Sequence, residues 1–211
     1  VVDVAALLTD DAVWDTLFGF SKVNDLSAVN FFSVGNTGTT VRLNRQSENL
    51  NPYFFDIVGN PVLDSSTQRI VLSVSSEAIN IYLDGNATPI ASYSYNNTYV
   101  ATEYSMNVID YVDEAGYFIL GAVASYWGNP EINVKSVAFY DTALTSDDVV
   151  SLGAYEDKQI SVSYALTTEE GRQGWTGTGY TVSDETGITL KNGSYTDRSR
   201  YYIENPLQGN S

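Results

Sequence analysis

The stretch RIVLSVSSEAINIYLDG, Arg69–Gly85, places Ile70, Leu72 and Val74 at every second position, breaks at Ser75-Ser76, and then places Ile79, Ile81 and Leu83 at every second position. A period of two puts each set on one face of an extended strand, and the serine pair marks the reversal between them. The stretch therefore reads as a β-hairpin. The Asp84-Gly85 pair that follows supplies the next turn, because both residues tolerate positive φ, and TPIASYSY (residues 88–95) returns as a third strand.

The same signature extends in both directions. Strands are expected at TLFGFSKV, NFFSVGN, TTVRLNR and YFFDIVG before the hairpin, and at YFILGAVAS and INVKSVAFY after it. Their short, regular spacing suits a sandwich or jelly roll. With 16 tyrosines and 8 phenylalanines the composition also favours strands. One helix is expected, near residues 145–152 in TALTSDDVVSLG: Thr145 or Ser146 caps its first free amides, Asp147 and Asp148 sit at the positive end of its dipole, and Gly153 ends it.

Two motifs carry a family resemblance. The hairpin ends in an aromatic-x-Asp-Gly turn, Tyr82, Asp84 and Gly85, and residues 137–144 form an apolar-aromatic strand that runs into the capped helix of Thr145–Leu152. In this order they resemble the laminin-G-like or concanavalin A-like jelly-roll superfamily. The resemblance implies an all-β fold, an antiparallel β-sandwich jelly roll with one short helix. It further implies that the helix closes a domain. Residues 155–211 would then be the opening strands of a jelly roll, and residues 1–154 its main body, beginning with the strand VVDVAALLT (residues 1–9). The order is permuted, so the opening strands are expected to complete the same sandwich in cis, or alternatively a neighbouring copy in trans. A circular permutant and a segment excised from an array both fit that reading. The chain opens without methionine or a signal-like segment, and is expected to be a processed or excised piece of a larger protein.

Composition narrows the chemistry. The 211 residues hold 10 basic against 26 acidic side chains, a formal charge of −16. Polyanions are repelled by such a surface, so nucleic acid is not expected as a partner. No window is apolar for long enough to suggest membrane insertion. There is no cysteine and no histidine, which excludes disulfides, zinc-thiolate and imidazole metal sites, and Ser-His-Asp or Cys-His catalysis. Glycoside hydrolysis by a carboxylate pair stays open, yet no Glu-x-Asp-x-x-Glu run is present to aim two acids into one cleft. The chain is expected not to be an enzyme.

Sugar binding needs an exposed aromatic ring with amide or carboxylate groups beside it. SYWGNPE offers Tyr126, Trp127, Asn129 and Glu131, and GWTGTGY offers Trp175 and Tyr180. Each tryptophan could equally be a core residue. A calcium ion is a further expectation of the resemblance, with loop acids Asp113, Glu114, Asp184 and Glu185 as ligand candidates. Where family members carry an acid ahead of the closing apolar-aromatic run, this chain has Ser136. The resulting expectation is a secreted or cell-surface module for carbohydrate binding or adhesion, its partner a glycan or a surface protein. A structural domain assembled with neighbouring copies is the alternative.

Overall fold

In the computed structural model the described residues are 1–8, 15–24, 31–37, 40–47, 50–56, 67–94, 112–122, 131–152, 162–191 and 199–208. They form an all-β sandwich of two antiparallel sheets. The first runs in the order β13 (Tyr180–Ser183), β14 (Gly187–Leu190), β10 (Glu131–Phe139), β1 (Val2–Leu8), β6 (Arg69–Val74), β7 (Ala78–Leu83), β8 (Ala91–Ser94), with β11 (Val162–Ala165) also paired to β10. The second runs β12 (Thr176–Thr178), β15 (Arg200–Glu204), β9 (Tyr117–Gly121), β2 (Asp15–Ser21), β3 (Phe31–Thr37), β4 (Thr40–Ser47), β5 (Leu50–Asp56).

The hairpin sits where its alternation predicts. Its register pairs Ile70 with Leu83, Leu72 with Ile81 and Val74 with Ile79. The two apolar sets thus stand opposite each other and form a single layer facing the core. Asp84 and Gly85 turn the chain with φ of 53° and 75°. The Asp84 carboxylate also accepts the backbone N–H groups of Gln68 and Arg69 at 2.7 and 2.8 Å, tying the turn to the start of β6. On the reverse face, Val71 and Tyr82 pack against Val149 and Leu152 of α1 (Ser146–Ser151) and its C-cap. Thr145 caps that helix in a full capping box, its hydroxyl accepting from the Asp148 N–H while the Asp148 carboxylate accepts from the Thr145 N–H.

β10 is the strand on which the fold turns. Its large apolar residues are Ile132, Val134, Val137 and Phe139, a pattern that changes parity at Lys135. The register explains the change: Val4 pairs with Val134 and Asp3 with Ser136, so Lys135 is an extra residue, a β-bulge. The bulge lets both halves of the strand face the core. It is also where the outer partner changes, from β14 along Ile132–Val134 to β11 along Ser136–Phe139. The Lys135 carbonyl accepts the Leu166 N–H at 2.8 Å. Gly187 fits beside the bulge at φ 79°, where an added Cβ would lie 2.1 Å from the Val134 carbonyl oxygen.

The C-terminal strands lie inside both sheets of the same chain. β14 stands between β13 and β10, and β15 between β12 and β9. Asn205, just past β15, is 6% exposed and gives its side-chain amide to the carbonyls of Val112 and Ala115 at 2.6 and 2.9 Å. That anchor holds the chain's final described turn against the segment entering β9.

Candidate functional site

Trp175 is a core residue. It is 7% exposed and lies at the centre of an aromatic cluster: its indole stacks on Tyr201 at 5.2 Å and 14°, and meets Phe118 and Tyr164 edge-on at 6.2 and 5.5 Å. Short strand β12 leads away from it and pairs with β15, which brings Tyr201 under the ring. Tyr180 is half-buried, its ring 4.5 Å from that of Tyr201. Trp175 therefore offers no open ring face, while Tyr180 keeps part of its surface exposed beside Tyr201. Among the described residues the exposed large hydrophobic side chains are Val23, Val150 and Val182, none of them aromatic.

Tyr126, Trp127 and Asn129 lie outside the described residues. Glu131 is the first residue of β10, half-buried and opposite Leu8 of β1. The chain leaves β9 in one sheet and enters β10 in the other between Ala122 and Glu131, with the Ala122 N–H held by the Ser199 carbonyl at 3.1 Å.

The four acids considered for calcium fall into two places. Asp113 and Glu114 belong to the helical residues 112–114 ahead of β9, and Glu114 meets Lys22 at 2.8 Å on the surface. Asp184 and Glu185 form the β13–β14 turn, where Asp184 accepts from Arg172 at 3.0 Å and the Glu185 N–H donates to the Ser183 hydroxyl. Among the described residues no group of three carboxylates comes together. The carboxylate adjoining Ser136 belongs to Asp3, its cross-strand partner on β1, and Ser136 donates to it at 3.0 Å. That carboxylate is committed to Arg69 through two bonds of 2.5 and 3.1 Å, while a third guanidinium nitrogen caps the Leu152 carbonyl at 3.0 Å.

No family model, curated protein or solved structure matches this chain. Among the described residues, no helix is long and apolar enough to cross a membrane.

One feature of the sandwich was not visible in the sequence. At one end the sheets enclose an opening with a cavity of about 150 Å³. Phe18, Phe20 and Phe118 line it from the second sheet, and Leu72, Val137 and Phe139 from the first. Phe118 meets Phe20 and Phe139 edge-on at 5.2 and 5.0 Å, so the wall is a linked set of rings. Among the described lining residues the only charged side chains are Asp113 and Asp141. Val1 also lines the cavity, and its backbone nitrogen donates to the Ala138 carbonyl at 2.8 Å.

Proposed function

We propose that the chain is a non-catalytic module for carbohydrate recognition or adhesion in a secreted or cell-surface protein, related to the laminin-G-like and concanavalin A-like sandwiches. The supporting observation is the position of Glu131, half-buried at the start of β10, where the chain crosses between sheets and where Tyr126, Trp127 and Asn129 immediately precede it in sequence. A ring for stacking, an amide and a carboxylate in one short connection are the groups that sugar hydroxyls and a pyranose face require. Trp175 is already used by the core, and of the remaining tryptophans, Trp14 and Trp127, the second has an amide and a carboxylate, Asn129 and Glu131, close by in sequence and is the better choice of stacking residue. Calcium, as part of this reading, would draw on Asp113, Glu114, Asp184 or Glu185, and at Glu114 and Asp184 it competes with Lys22 and Arg172.

The test is a glycan array run with calcium and again with a chelator, on the unaltered chain and on Trp127→Ala. Binding that disappears in Trp127→Ala, with the far-ultraviolet spectrum unchanged, supports the assignment. Binding lost only to the chelator moves the site to the acidic loops, and a blank array overturns the reading.

The alternative is a structural domain completed by strands of neighbouring copies. In this chain β14 and β15 are each paired on both sides by the chain's own strands, so a donated strand would have to displace them. Light scattering across a dilution series distinguishes the two, because a polymer that persists on dilution belongs only to the structural domain.

A further inference from the structure

We propose that the Phe-lined opening between the sheets is a second binding site, distinct from the glycan site above, and that it takes a small amine with an apolar body. Two properties of the opening select this ligand. Its walls are rings and aliphatic side chains, and apolar cavities of about 150 Å³ accept a benzene-sized molecule. Among the described residues its charged side chains are acidic, exposed Asp141 and half-buried Asp113, inside a chain whose formal charge is −16. A carboxylate ligand would meet like charge at that rim, and a neutral hydrocarbon would gain nothing from it. An ammonium group gains attraction to the aspartates, and the faces of aromatic side chains favour a cation nearby. The body of the ligand then lies among Phe18, Phe20, Phe118 and Phe139, with the ammonium towards Asp141.

The contact of Ser73 with the loop after β10 keeps this mouth in shape. Its hydroxyl donates to the Leu144 carbonyl at 2.8 Å, fixing the segment that carries Asp141 against β6. The rim is therefore held by the fold before a ligand arrives, which lowers the ordering cost of binding.

The experiment is calorimetric titration of the full chain with 2-phenylethylamine, phenylacetate and ethylbenzene. The amine is expected to bind saturably, about tenfold more tightly than phenylacetate, and to weaken as salt is added. Asp141→Asn, at an exposed position, should weaken the amine by about threefold and leave ethylbenzene unchanged. Leu72→Trp fills the cavity and should abolish binding of all three; if that variant does not fold, Val74→Phe serves the same purpose. Absence of saturable amine binding overturns the site. Equal binding of amine and phenylacetate overturns the charge assignment, and unchanged binding in a folded cavity-filling variant overturns the location. None of these results depends on Trp127, so the glycan reading stands or falls separately.

Discussion

Trp175 and Tyr201 lie face to face, 5.2 Å between ring centres and 14° from parallel, although neither is near the other in sequence. The stack joins the loop before β12 to a strand in the interior of the second sheet. Around it, Tyr164, Tyr180 and Phe118 carry the contact to β11, β13 and β9. Removing the indole would leave a void shared by several strands, which the surrounding backbone cannot close. Trp175→Ala is expected to destabilise the fold by about 3–5 kcal/mol, and Trp175→Phe by less, measured by urea unfolding. A variant of wild-type stability would show that the stack is dispensable.

The Asp3, Arg69 and Ser136 cluster makes a second demand on the fold. The Asp3 and Arg69 side chains are 15% and 18% exposed, so each charge is largely withdrawn from water and relies on the other. Asp3→Ala would leave the guanidinium in place without its carboxylate. A loss of about 3 kcal/mol is expected, with a smaller loss in the Asp3→Ala, Arg69→Met double variant, because that change removes both charges together. A double-mutant cycle by chemical denaturation gives the answer, and additive effects would rule out coupling.

The parts of this structure that were legible in the sequence are local. Residues 69–85 carry their alternation and their Asp-Gly turn within a few residues, and the capping residues of α1 stand three apart. The burial of Trp175 was not legible, since tryptophan suits both a core and a sugar platform, and the choice depends on β12 pairing with distant β15. The parity change at Lys135 looks like a broken strand until β1 is laid against it and the bulge becomes visible. Asp3 finds Arg69 across 66 residues and Ser136 across 133, separations that no short pattern encodes. The cavity depends on how far apart two sheets stand, a tertiary property. Its contributors, Phe18, Phe20, Phe118 and Phe139, read individually as ordinary inward strand residues.

The capping box on α1 offers a test of how a six-residue helix persists. Such a helix is too short to be stable by propensity and depends on its cap and on Val149 and Leu152 against Val71 and Tyr82. Thr145→Ala deletes the hydroxyl that accepts the Asp148 N–H and donates to its carboxylate. A cost of about 1 kcal/mol is expected. Thr145→Ser should recover most of it, and equal stability of all three forms in thermal unfolding would show that packing alone holds the helix.

Alkaline pH should act through the same aromatic cluster. Tyr201 is 3% exposed, and burial with Tyr180 nearby raises its phenol from the ordinary value of 10 to about 12, while burial also raises Tyr164 and Tyr140. In the unfolded chain the Tyr201 phenol loses its proton near pH 10, whereas the folded protein retains it until about pH 12. Between those values the unfolded state is the one that gains charge, so the stabilisation is complete below pH 10 and is lost as pH rises towards 12. The loss attributable to Tyr201 is on the order of 2 kcal/mol. Urea midpoints measured at stepped alkaline pH, with tyrosinate followed by ultraviolet difference absorbance, should fall more steeply in the native protein than in Tyr201→Phe. That variant keeps the ring under Trp175 and removes the titrating proton, so an identical pH dependence in the two proteins would place the alkaline sensitivity elsewhere.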